Sequence, residues 1–278
     1  MHKGITTKSN PLTKSITPKD QAVKLSDQPL DDGYRMWALC MPKGTGKTTV
    51  VYNVLHNKES PWHNLFDKIF MFSPTGENQE YLKPLIDELK SCGQFYDVLN
   101  EANLTDCLDK LQAFNTHFIN AREPQTRHMK EQEEVLKRHG VKREDMPDEV
   151  IGKKLHKRKP HSLIFFDDCL NELAKSTEKS IQSRLWTRNR HYYTNVCITT
   201  QRYLKLNPTI RNNLDTISFG KTANQKEYET LEDDLNVDSK TLKKVYEFAT
   251  AEPYSFLHIT FNAGVPKFFK KFDPITLS

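Results

Sequence analysis

The chain has 278 residues, with 41 Lys and Arg against 36 Asp and Glu, for a formal net charge of +5. That length suffices for one α/β domain with a full core and some residues to spare, and the mildly basic balance permits a polyanionic partner without demanding one. No apolar run approaches the roughly 18 residues that a membrane span needs, which leaves no expected role in a membrane.

Residues 1–30 are rich in Lys, Thr, Ser, Pro and Asp without helical or strand period, so a flexible polar tail is expected there. Its first residues, Met1 to Thr7, lack an apolar core of the kind a secretion signal carries. Residues 31–278 read as a single domain. The first ordered element is Arg35 to Cys40, a short apolar strand that stops at a loop containing Pro42, Gly44 and Gly46. Val50, Val51, Val54 and Leu55 follow at helical spacing. Lys68 to Phe72 is a second buried strand, closed by Ser73-Pro74-Thr75-Gly76. Residues 78–90 and 103–119 read as helices on either side of a short strand at 95–99. Three more apolar strands come at Ser162 to Phe166, Val196 to Thr200 and Thr216 to Phe219. Several are continuously apolar rather than alternating, as parallel strands covered by helices on both faces are. From Tyr254 to Phe272, two runs around Asn262-Ala263-Gly264 predict an antiparallel hairpin added to an edge.

Between about 121 and 160 the composition shifts to Lys, Arg, Glu and His with few large apolar residues. Such a segment cannot bury a strand and is expected to be an insertion outside the sheet. It is either a solvated helical excursion or a basic element that touches nucleic acid through Lys153, Lys154, Lys157, Arg158 and Lys159. The five cysteines are odd in number and widely spaced, with no Cys-x-x-Cys pair, which fits free thiols in a reducing compartment and gives no zinc site.

The chemistry begins at Met41-Pro42-Lys43-Gly44-Thr45-Gly46-Lys47-Thr48-Thr49. A phosphate-binding loop wraps backbone N–H groups around a nucleotide's phosphates, and only small residues let the backbone come that close. Lys43, Gly44, Thr45, Gly46, Lys47, Thr48 and Thr49 are the expected nucleotide contacts. Lys47 would set a charge against the β- and γ-phosphates, the Thr48 hydroxyl would ligate Mg2+, and the helix N-terminus faces the same anion. The usual first glycine of the motif is Met41 here, so its side chain must fit the turn from strand to loop.

Asp167 and Asp168 close a buried strand. Asp167 can hold Mg2+ through its water shell, while Asp168 can orient and deprotonate an attacking water. Glu is more usual in the second place, and Asp168 is shorter. Gln201, at the end of the Cys197 to Thr200 strand, carries an amide that can donate to phosphate and accept from water.

In their order along the chain, these residues resemble the FtsK–HerA group of P-loop ATPases. The closest likeness is to the poxvirus-type genome-packaging ATPases of large DNA viruses and virophages. The resemblance runs from about Trp37 to Gly220 and rests on Phe72-Ser73-Pro74-Thr75, Phe166-Asp167-Asp168, Arg190-His191, and Gln201 followed by Pro208 and Ile210-Arg211-Asn212. It implies a RecA-like P-loop NTPase fold with a mainly parallel sheet flanked by helices. It further implies a homo-oligomeric ring that hydrolyses ATP with Mg2+ and drives double-stranded DNA into a preformed capsid, with viral capsid proteins as partners. Its place would be the viral assembly site in the host cytoplasm or nucleus, or the virion. In such rings an arginine from one subunit completes its neighbour's site; Arg190 is the first candidate, with Arg188 and Arg211 beside it. The competing expectations are a HerA-like helicase or DNA translocase of the same chemistry, and a P-loop switch or small-molecule kinase. The basic 121–160 insertion could imitate a kinase lid, whereas Asp167, Asp168 and Gln201 favour water as the nucleophile.

Overall fold

The computed structural model of the chain describes residues 5–6, 33–121, 123–142, 145–147, 159–175, 180–235, 237–262 and 265–277. They fall into two compact units, residues 1–107 with 161–278 in one and residues 108–160 in the other.

The larger unit is built on a sheet of β2 (Met36–Cys40), β3 (Lys68–Phe72), β4 (Phe95–Tyr96), β5 (Ser162–Asp167), β6 (Thr194–Thr200), β7 (Thr216–Gly220), β8 (Phe256–Asn262), β9 (Val265–Lys270) and β10 (Asp273–Pro274). Across the sheet the order is β10-β9-β8-β7-β2-β6-β5-β3-β4. The six strands from β7 to β4 are parallel, and β8, β9 and β10 extend the β7 edge antiparallel. The fold is therefore α/β with a mainly parallel sheet ending in an antiparallel hairpin, as the strand patterns predict. Every residue of β2, β5, β6 and β7 is buried, which is why stretches such as Met36 to Cys40 and Leu163 to Phe166 read as unbroken apolar runs. A separate two-stranded pair, β1 (Ile5–Thr6) with β11 (Thr276–Leu277), involves residues of the amino-terminal segment; the rest of residues 1–30 lies outside the described residues.

Helices in this unit are α1 (Lys47–His56), α2 (Lys83–Ser91), α5 (Leu170–Ala174), α6 (Ile181–Arg188), α7 (Pro208–Arg211), α8 (Gln225–Leu235) and α9 (Ser239–Ala249). Helix α1 buries Val51, Val54 and Leu55, the face its spacing predicts. Ser180, Asn207 and Asp238 cap α6, α7 and α9, their side chains accepting from the N–H groups of Ser183, Thr209 and Thr241. Trp37, wholly buried in β2, donates its indole N–H to Ser218 Oγ at 2.9 Å, and Ser218 shares a 2.7 Å bond with His258 Nδ1. That chain joins the parallel part of the sheet to the hairpin through three strands.

The boundary of the smaller unit falls within α3 (Glu101–Asn120), and α4 (Glu123–Arg138) lies inside it. Among the described residues of 108–160 there is no strand. Pairs four residues apart on α4, Glu133 with Lys137 and Glu134 with Arg138, support a solvated helix. Of the basic residues the sequence singles out here, Lys153, Lys154, Lys157 and Arg158 lie outside the described residues, and Lys159 is exposed.

Candidate active site

The register of three neighbouring strands brings the motifs together. Cys40 on β2 pairs with Thr200 on β6, and Thr199 on β6 pairs with Asp167 on β5. The three carboxyl ends are therefore level, with the strand that leads to Gln201 lying between the phosphate-loop strand and the Asp167 strand. Open α/β sheets bind ligands outside such ends.

The loop leaves β2 with one more rung, Met41 N–H donating to Thr200 O at 3.1 Å. Gly44 and Gly46 then turn left-handed, at φ of 77° and 83°. A Cβ on either would touch nothing within 4 Å, so it is the backbone conformation that calls for glycine at both. Val50 N–H bonds Gly46 O at 2.9 Å and closes the first turn of α1. Thr45 Oγ1 donates to Pro42 O at 2.7 Å and ties the loop to itself. Lys43 and Gly44 are exposed at the tip, and Thr49 is half-buried in the first turn of α1. The Lys47 ammonium bridges back to Met41 O and Pro42 O, each at 3.0 Å. Burial holds the Lys47 pKa below the usual lysine range, opposed by the charges of Asp168 and Asp167. Lys47 is thus a partly desolvated cation facing two carboxylates, poised to exchange loop carbonyls for a more strongly charged acceptor.

Met41 occupies the position of the missing glycine without distorting the loop. It is 2% exposed and belongs to the core beside Trp37, Leu39 and Val51. Its side chain fits because Gly220, at the end of β7, has none.

Asp167 is 2% exposed and fully engaged. Its Oδ1 accepts from Thr48 Oγ1 at 3.0 Å and Thr199 Oγ1 at 2.6 Å. Its Oδ2 accepts from Ser73 Oγ at 3.1 Å and Gln79 Nε2 at 3.3 Å. The adjoining Thr48 hydroxyl and Asp167 carboxylate are hard oxygen donors of the kind Mg2+ takes. Among the described residues no group of three or more His, Cys, Asp or Glu forms a cage.

Asp168 is exposed and left-handed at φ 55°, a conformation that Asp tolerates. Its N–H donates to Thr199 Oγ1 at 3.4 Å, and its Oδ1 accepts from Gln201 Nε2 at 3.4 Å. The segment after Gln201 is fixed by Glu227 on α8, which is buried and accepts from Arg202 Nε at 3.1 Å and Leu204 N–H at 2.7 Å.

Lys47, Thr48, Asp167, Asp168 and Gln201 thus share one end of the sheet. Arg190 does not. Arg190 precedes β6, at the opposite end of a seven-residue strand, and pairs with Asp215 at 2.9 Å while 66% exposed. Asp215 also accepts from Met36 N–H at 2.9 Å. Arg211 is bound to Asp234 at 2.7 Å and is 13% exposed. Arg188 ends α6 and is exposed. The motifs alone did not single out Thr199, Gln79, Glu227 or Gly220. Thr199 had a signal, as a hydroxyl just before the strand end that faces a strand-terminal carboxylate; the other three come together only in the folded chain.

No protein-family model and no curated protein matches the sequence. Solved structures do match. The genome packaging NTPase B204 from Sulfolobus turreted icosahedral virus 2, in complex with AMP, is 16% identical over 86% of this chain and 98% of that one, with a TM-score of 0.52. The same protein in complex with ATP-gammaS is 15% identical over 86% and 98%, with a TM-score of 0.51. The fold is that of a P-loop NTPase. At this identity the likeness is one of architecture, and it falls on a genome-packaging protein, the kind of protein that the motifs resemble.

Proposed function

We propose that this chain hydrolyses ATP at the site formed by Lys47, Thr48, Asp167, Asp168 and Gln201. The cycle would drive double-stranded DNA into a preformed viral capsid. The observation that carries the hydrolytic reading is the contact of Asp168 with Gln201 beside the Lys47 loop. An exposed carboxylate and an amide that can both donate and accept are what the orientation and deprotonation of a water require. Mg2+ held at Thr48 and Asp167 would neutralise charge on the β- and γ-phosphates. Lys47 adds a second positive charge, and the glycine-rich backbone of residues 43–49 supplies the N–H groups.

The DNA, ring and capsid parts of the proposal rest on the motif resemblance, supported by the likeness of fold to a viral genome-packaging NTPase. Arg190 cannot serve the site of its own chain from the far end of β6, so its proposed role is in a neighbour's site, within a homo-oligomeric ring. Arg188 is the alternative with no ion pair to break among the described residues, and Arg211 would first have to leave Asp234. Capsid proteins would be the docking partners at the viral assembly site. A HerA-like helicase would share the chemistry and the DNA but not the capsid.

The test is ATP turnover with and without long linear duplex DNA, read beside the mass of the assembly. Stimulation by duplex in a multi-subunit assembly supports a DNA motor. ATP hydrolysis indifferent to DNA, by a monomer, would return the chain to the switch or kinase readings.

A further inference from the structure

Asp167 has no acceptor site to spare. An ionised carboxylate offers about four lone-pair sites, and four donors fill them: Thr48 and Thr199 on Oδ1, Ser73 and Gln79 on Oδ2. For this carboxylate to accept from a cation's water shell, one donor must leave. Thr199 and Ser73 are each 1% exposed. Ser73 is further confined by Gly76, where a Cβ would come within 2.9 Å of Ser73 Oγ. The Thr48 hydroxyl is itself the proposed cation ligand and sits on the other oxygen. That leaves Gln79.

Gln79 differs from Ser73 and Thr199 in three ways. It is half-buried rather than buried, it lies between two single 3-10 turns at Gly76–Asn78 and Glu80–Leu82, and its bond, at 3.3 Å, is the longest of the four. The segment itself is tethered, its N–H bonding Gly76 O and its Glu77 pairing with Lys90 on α2. Loss of the bond to Asp167 would therefore leave the turn in place.

We infer that Gln79 is a latch on the cation site: its amide competes with a divalent cation's water for Asp167 Oδ2 and yields only when nucleotide phosphates add their own ligands. This deepens the proposed ATPase reading and rests on it. The latch makes cation binding conditional on nucleotide. A residue that merely held Asp167 in place for the metal would act in the opposite direction, so removing it distinguishes the two.

The experiment titrates Mg2+ into the full chain with a fluorescent, slowly hydrolysed ATP analogue, for the wild type, Gln79→Leu and Gln79→Glu, with thermal melts in the absence of Mg2+. Both variants are expected to lower the Mg2+ concentration at half-maximal binding by roughly three- to tenfold, the net size of one ordinary hydrogen bond, as suits a bond this long. Gln79→Leu removes the competing donor, and Gln79→Glu replaces it with an acceptor. An unchanged or raised midpoint in Gln79→Leu overturns the latch, and that variant decides alone if Gln79→Glu melts early. A wild type without Mg2+-dependent binding would instead sink the nucleotide-site reading beneath it.

Discussion

Met41, standing where a phosphate-binding loop usually has its first glycine, packs against Gly220 at the end of β7. A Cβ added to Gly220 would lie 2.9 Å from both Cβ and Cγ of Met41. The glycine missing from the loop has a counterpart at the end of the neighbouring strand, which pairs with β2. Gly220→Ala should therefore overpack the loop's first residue, costing about 1–3 kcal/mol of stability and weakening nucleotide binding. Adding Met41→Ala should restore most of both. Urea denaturation and nucleotide titration of the two single variants and the double variant measure the coupling. Additive effects would show that the contact does not set the loop.

Thr199 joins the two acidic residues, donating to Asp167 and accepting from the N–H of Asp168. Thr199→Val keeps the shape and removes both bonds, leaving a buried carboxylate one donor short. A loss of about 1–3 kcal/mol is expected, together with weaker Mg2+-dependent nucleotide binding. Thr199→Ser should retain most of each. A Val variant with wild-type melting and Mg2+ response would show that Asp167 does not depend on this strand.

Much of this was legible in the sequence because the central strands are buried on both faces. Unbroken apolar runs such as Leu163 to Phe166 admit few other readings, and the glycines at 44 and 46 mark the loop by backbone necessity. Helices α8 and α9 were legible but not read: Tyr228, Leu231 and Leu235, and Leu242, Val245 and Ala249, recur at helical spacing and are buried. The four-donor ring around Asp167 could not have been read. It joins residues from α1, the turn after β3 and β6, and the spacing of 94 residues from Ser73 to Asp167 carries no local signal. The short β10 and the pairing of β1 with β11 are likewise too brief for any period to show.

Arg190 should act on a neighbour's site rather than its own. Its ion pair with Asp215 is exposed, so Arg190→Ala should cost at most about 1 kcal/mol of stability and leave nucleotide binding through Lys47 and Thr48 intact. ATP turnover should fall by roughly 10³-fold or more, the range for a supplied arginine. Mixing Arg190→Ala with Lys47→Ala protein should recover activity, because some interfaces would then join an intact Lys47 pocket to an intact arginine. Mixtures that co-assemble without recovery would exclude Arg190, and Arg188 and Arg211 would be tried by the same design.

Hydrolysis with Asp168 as the group that activates water is tested most directly by phosphate release from Mg-ATP, measured beside nucleotide binding for the wild type and Asp168→Asn. Asn keeps the size of the side chain and the contact with Gln201 but cannot take a proton. The account predicts that the wild type releases phosphate and that Asp168→Asn binds nucleotide within about threefold of it while turning over roughly 10²–10⁴-fold more slowly. Near-normal turnover by Asp168→Asn, or a loss of binding as large as the loss of turnover, would contradict it.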